Sequence, residues 1–202
     1  MTSSSKWLSM STLRWPGKCL AHDMTPAELS PRMKAAASLD GRTALASGAS
    51  QWITGEAARA DGHRWRARAC AIATGGGTVK ADDPQLTVRE VQTPRQPLRV
   101  VIDSHVETPA GAKVLQGEKA LLFAAVPGKS LPNAEIVVLP NAAGKVDLKK
   151  MLAELAKRGV NELHVEGGFK LNGSLLREGC VDEFLLYLNP SLLGDSAQGM
   201  VN

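Results

Sequence analysis

The sequence is poor in the features that most quickly give a function away. Aromatic residues fill 4% of its 202 positions, with a single tyrosine, so there is no stacking platform for single-stranded nucleic acid. The basic residues are dispersed and the formal net charge is only +4, which also argues against a nucleic-acid partner. The longest apolar run, residues 120–126, has seven members, far below the roughly 20 that carry a helix across a bilayer, and no membrane partner is expected. Three cysteines, Cys19, Cys70 and Cys180, stand far apart without a C-x-x-C pair, which speaks against a disulfide framework and a structural zinc site. The N-terminus has Lys6 and Arg14 but no apolar segment of the signal-peptide kind. Scattered thiols without an export signal point to the reducing cytoplasm.

What is present is the composition of a soluble chain with one core: 44% hydrophobic and 22% charged residues. Residues 1–30, with three consecutive serines, Trp7, Trp15 and Pro16-Gly17, hold no sustained period and read as a poorly ordered leader before one domain at 31–202. Short apolar runs then alternate with helical patterns. Strands are expected at 33–37, 70–74, 98–103, 120–126, 135–139, 163–166 and 184–189. Thr54 is placed to cap a helix running to about residue 69. Asp147 opens another, in which Leu148, Met151, Leu152, Leu155 and Val160 keep a 3.6-residue period up to the C-cap glycine Gly159. A short helix is expected from the double glycine at 167–168 to about residue 178, and Asp82-Asp83-Pro84 reads as a turn. Strands alternating with helices in this way predict an α/β fold with a mostly parallel sheet and helices on both faces.

The densest local signal is Glu166-Gly167-Gly168-Phe169-Lys170-Leu171-Asn172-Gly173, lying between a strand and a helix. Glycines there admit a ligand to the backbone, and a helix N-terminus favours a phosphate. The pair matches neither the dinucleotide fingerprint nor the P-loop, so a plain tight turn stays open beside a phosphate site. Glu166 sits where ligands of open α/β sheets bind, able to hold the N–H groups of a heterocycle or manage a proton. His164-Val165-Glu166 is half of a zinc-deaminase signature whose P-C-x-x-C half is absent, so no metal is expected and His164 is read as structural, pointing away from the turn after Glu166. Arg66 and Arg89, from separate segments, could converge on a dianionic phosphate, which guanidinium forks match well; a solvated basic face is the plainer alternative. Trp52, after a Ser/Gly stretch, fits a cofactor pocket or the core.

Taken in order, the motifs KAAASLDGR at 34–42, SQWIT at 50–54, ADDPQLTVR at 81–89, VIDS at 101–104, VEGG at 165–168 and VDE at 181–183 resemble the reductase domain of the bifunctional riboflavin-biosynthesis deaminase/reductase. The resemblance covers about residues 32–202. It implies a dihydrofolate-reductase-like fold, NADPH as hydride donor, and reduction of the ribosyl group of 5-amino-6-(5-phosphoribosylamino)uracil to ribityl. By position it assigns Ala36, Trp52, Thr78, Asp82, Ser104 and the run Gly168, Phe169, Lys170, Leu171, Asn172, Gly173 and Ser174 to the cofactor. It assigns Ser50, Arg66, Leu86, Arg89 and Glu166 to the phosphorylated pyrimidine, with Lys34, Asp82 and Glu166 as candidates for the catalytic polar work. Association into a homodimer is also implied. The family's zinc deaminase is expected to be missing, so that no deamination is expected, and the chain is expected to lack C-terminal strands that family members carry. Two other readings stay open: dihydrofolate reduction on the same fold, giving antifolate tolerance, and a shortened NADPH-binding relic without turnover.

Overall fold

Two stretches, Leu98–Ile102 and Ala120–Ala124, are buried along most of their length, as suits strands of a parallel sheet that are flanked by a strand on either side. The computed structural model describes residues 13–14, 29–47 and 55–202. Ten strands and four α-helices follow one another along them: β1 (Leu13–Arg14), β2 (Ser30–Ser38), β3 (Arg42–Ala44), α1 (Glu56–Arg68), β4 (Ala71–Gly75), α2 (Gly76–Asp82), β5 (Leu98–Ile102), β6 (Ala120–Ala124), β7 (Ala134–Val138), α3 (Leu148–Lys157), β8 (Glu162–Val165), α4 (Phe169–Arg177), β9 (Glu183–Asn189) and β10 (Gln198–Gly199). Eight strands form one sheet in the order β1-β9-β2-β8-β4-β5-β6-β7. Every pairing in it is parallel except β1 with β9. The predicted α/β architecture with a mostly parallel sheet is therefore the one found.

Alternation along the central strands sorts the two faces. Met33, Ala73, Val100, Phe123 and Val165 turn to one side, where Met151, Leu152 and Leu155 of α3 and Leu175 of α4 close the main core. In register, Arg32 of β2, His164 of β8 and Ile72 of β4 form a row on the other side, beneath α1. Further along that side Ile72, Val101 and Leu122 meet Val79 of α2 and Leu86 in a second apolar cluster. Asp147 caps α3 as expected, its side chain accepting from the Lys150 N–H at 3.0 Å.

Several boundaries differ from the sequence-based expectation. Residues 76–82 form α2, where a strand end and a turn were expected; the turn is reduced to Asp83, left-handed at φ 42°. Gly-Gly-Thr carries no helix-starting signature, and seven residues are too few to show a period. The N-cap of α1 is Gly55; Thr54 lies outside the described residues. β10, which pairs with β3, follows the strand read as the last one. Within the expected leader, Leu13–Arg14 pair with Phe184 and Glu183; most of that segment lies outside the described residues.

Candidate functional site

The carboxyl ends of β4 and β8 lie side by side, with Ala73 opposite Val165; β4 runs directly into α2, and β8 reaches α4 after Glu166-Gly167-Gly168. α2 starts after N-cap Gly75 and α4 after N-cap Gly168, neither with a side-chain cap, so the N–H groups of the nine-residue α4 remain available at its open end. Side chains are kept out of the corner by close packing. A Cβ on Gly76 would come within 2.8 Å of Asp103 Cγ, and one on Gly167 within 2.7 Å of Asn172 Oδ1. Asp103 is itself pinned, accepting from the Thr108 N–H and hydroxyl, both at 2.7 Å.

Two cavities open from this corner. The larger, about 650 Å³, is walled by the glycines 75–77, Thr78, Asp82 and Leu86 on one side and by residues 166–172 on the other, with Lys34 and Ala36 as its floor. The smaller, about 250 Å³, lies under α1 and is lined by Arg59, His63, Arg66, Arg89, Glu90 and Tyr187 among others. Lys34 and Glu166 line both.

Glu166 is the hinge between them. Arg66 grips it with both prongs, Nε to Oε1 at 2.5 Å and Nη2 to Oε2 at 2.8 Å, and donates from Nη1 to the Thr87 carbonyl at 3.0 Å. His164 lies on the same side of β8 as Glu166, two residues away, with Nε2 3.4 Å from Oε1. This corrects the expectation that it points elsewhere, since residues i and i+2 of a strand share a face. Burial pushes the Glu166 carboxyl up, yet Arg66, His164 and the charge of Lys34 together hold it well below the ordinary carboxylate range. It is thus an ionised acceptor near neutral pH. Across the smaller cavity the Tyr187 hydroxyl donates to Asp61 Oδ2 at 2.7 Å; burial and that carboxylate raise its pKa above the ordinary phenol value. Lys34 Nζ sits 5.8 Å from the Tyr187 ring centre.

The structure brings most of the sequence candidates together. Lys34, Ala36, Thr78, Asp82, Leu86, Glu166, Gly168, Phe169, Lys170, Leu171 and Asn172 line the larger cavity, and Arg66 and Arg89 the smaller. Ser104, Gly173 and Ser174 line neither: the Ser104 hydroxyl accepts from the Val146 N–H, and Ser174 donates to the Lys170 carbonyl within α4. Gly173 faces the backbone of Asn202. Ser50 and Trp52 lie outside the described residues. His63 and Tyr187 were not anticipated. His63 is three residues before Arg66 and so on its face of α1, and Tyr187 stands opposite Ala36 across β2 and β9; both relations become visible only once the neighbouring assignment is made.

The residues fit a dinucleotide in the larger cavity. Its volume is within the roughly 300–1,000 Å³ of small-molecule sites, Gly77 has open space where a Cβ would stand, and the buried Asn172 Oδ1 in its wall has no hydrogen-bond partner among the described residues. Those residues hold no group of three or more His, Cys, Asp or Glu placed to take a metal, and among them no helix is long and apolar enough to cross a membrane.

Residues 32–202 match the RibD C-terminal domain family. The riboflavin biosynthesis protein RibD of Escherichia coli K12 is 41% identical over 184 residues, 84% of this chain and 50% of that protein. RibD of Bacillus amyloliquefaciens is 39% identical over 170 residues, 80% of this chain and 46% of that one. Among solved structures, form 1 of Acinetobacter baumannii RibD superposes with a TM-score of 0.76 at 36% identity, over 87% of this chain and 50% of that chain. The chain therefore spans about half the length of the curated relatives it matches.

Proposed function

The chain belongs to the RibD C-terminal domain family, with its dihydrofolate-reductase-like α/β fold, and from that premise we propose that it is an NADPH-dependent oxidoreductase. Its proposed substrate is 5-amino-6-(5-phosphoribosylamino)uracil, whose ribosyl group is reduced to ribityl. One observation carries the reading: a glycine-walled cavity and an arginine-bearing cavity meet at Lys34 and Glu166. A cofactor and a phosphorylated substrate bound in the two would face each other across those residues.

Gly75, Gly77, Thr78 and residues 168–172 would hold the cofactor, the open N-terminus of α4 favouring a phosphate. When bound, a reduced nicotinamide supplies the hydride for C1 of the opened sugar, while the linking nitrogen takes a proton. The chain's part is to place and polarise. Arg89 anchors the phosphate. Arg66 is committed to Glu166 and Thr87, so its positive charge reaches the cavity while its fork holds Glu166 ionised. Glu166, as an acceptor, suits the N–H groups of the pyrimidine better than proton delivery. Lys34, lining both cavities, is the side chain we assign to proton transfer, with Asp82 in the cofactor wall. The two cysteines among the described residues, Cys70 and Cys180, are not joined in a disulfide, which suits the cytoplasm.

The test is loss of reduced-nicotinamide absorbance with purified protein, offered the phosphoribosylamino-pyrimidine and, separately, dihydrofolate. Oxidation with the first substrate alone is expected; oxidation with dihydrofolate alone, or with neither, overturns the assignment.

A further inference from the structure

We infer that His63 is a positioning residue for the anion-binding side of the smaller cavity, setting Arg89 in place by accepting its backbone N–H on Nδ1. The inference deepens the proposed function, since it rests on reading that cavity as the phosphosugar site, and it gives a role to a residue that no sequence motif singled out.

Residues 83–89 have no regular secondary structure, yet they carry Leu86 into one cavity and Arg89 into the other. A segment without a ladder of its own needs its backbone groups satisfied from elsewhere. Three side chains from other elements do this. Arg66 Nη1 donates to the Thr87 carbonyl. Gln96 brackets Val88, accepting its N–H at 2.8 Å and donating to its carbonyl at 3.1 Å. His63, buried in α1, accepts the Arg89 N–H at 3.2 Å. The Arg89 guanidinium is then oriented from Nη1 by Gln85 Oε1 and Thr87 Oγ1, each at 3.1 Å. Of the three tethers, the one at Arg89 itself is the histidine.

Accepting on Nδ1 requires a neutral ring with its proton on Nε2, and Nε2 lies 3.9 Å from Glu90 Oε1. Burial, then Arg66, and then Arg89 favour the neutral form, against Glu90 and Glu166; Arg59 and Lys34 line the same cavity and add positive charge. Protonation would remove the lone pair that holds Arg89 and set a third cation beside two guanidinium groups. The positioning is therefore lost as pH falls below the ordinary histidine range.

The full chain, His63→Leu and His63→Asn are compared. Asparagine places an oxygen near the Nδ1 position that accepts a hydrogen bond but does not titrate. With the phosphorylated substrate, His63→Leu is expected to raise KM about tenfold with kcat within about twofold, the scale of one positioned hydrogen bond. His63→Asn is expected to restore KM to within about threefold and to flatten the acid-side rise in KM expected of wild type. Independently of turnover, nitrogen NMR of wild type is expected to show the Nε2–H tautomer, and the Arg89 amide to exchange about tenfold faster in His63→Leu than in wild type or His63→Asn. An unchanged KM in His63→Leu, failure of asparagine to rescue it, an Nδ1–H tautomer, or equal Arg89 exchange in all three proteins overturns the inference. If wild type turns over no substrate, the functional reading falls, and the tautomer and exchange measurements still decide the role of His63.

Discussion

On one face of the sheet Met33, Ala73, Val100, Phe123 and Val165 meet the apolar stripe of α3; on the other, one residue along, β2 presents Arg32 and Lys34, and β8 and the residue after it present His164 and Glu166. The first face is held by area removed from water, which is non-directional and tolerant of small shifts. Beneath α1 the second is held by directed pairs: Arg66 with Glu166, Arg32 with Glu162 and Glu183, and Arg32 and Arg68 against the Trp65 ring at 4.3 and 4.6 Å; further along it Ile72, Val101 and Leu122 pack in the second apolar cluster. Buried ion pairs give little net stability for the desolvation they require. Concentrating them beneath α1 is what a site that must hold charge in fixed places requires. The apolar core under α3 and the charged region beneath α1 divide the labour, one keeping the sheet folded and the other keeping a charged cavity in shape.

The division can be broken from either side, and the largest effect is expected on the apolar face. Leu155→Ala in α3, at a fully buried position, should lower unfolding stability by about 2–5 kcal/mol in denaturant titration, leaving KM for both substrates unchanged in the folded protein. A raised KM would show that the faces are not separable.

Glu166→Gln comes next. It leaves the Arg66 guanidinium without its anion, with side-chain exposures of 15% and 17% for the pair. Removing one member of a fully buried pair costs about 3–5 kcal/mol, so partial solvent access brings the expected loss to about 2–3 kcal/mol, with substrate turnover falling at least about tenfold. The sign with pH follows from the carboxyl's lowered pKa in the folded state. The unfolded chain binds the proton first as pH falls, so the stabilisation is complete above the ordinary glutamate range and is lost progressively below it. The stability gap between wild type and Glu166→Gln should close on acidification; a gap that widens would contradict the ion-pair account.

The apolar face was legible in the sequence and the charged one only in part, for a physical reason. Periodicity reports burial: the spacing of Leu148, Met151, Leu152 and Leu155 was enough to place α3, and the β-branched Val100, Val101 and Ile102 enough to place β5. Directed pairs leave no such trace. Arg66 and Glu166 are 100 residues apart, and nothing local to either shows that the fork is filled by a carboxylate of the chain itself. The motif resemblance located both residues but not their bond. His164 was misplaced although the two-residue spacing to Glu166 already puts them on one face. α2 was missed because its glycine start, which opens the larger cavity, is the reverse of a helix-start signal.

That contrast reaches the helix ends and yields the smallest effect. α3, on the apolar face, is capped by Asp147, whereas α4, at the site, starts from Gly168 with no side-chain cap. A side-chain cap satisfies orphan N–H groups at the helix start, and a ligand at that end requires them unsatisfied. Asp147→Ala should therefore cost about 1 kcal/mol in thermal or denaturant unfolding and leave the KM for cofactor where it was. A change in cofactor KM would mean that α3 contributes to the site, and the assignment of capped helices to stability and open ones to binding would fail.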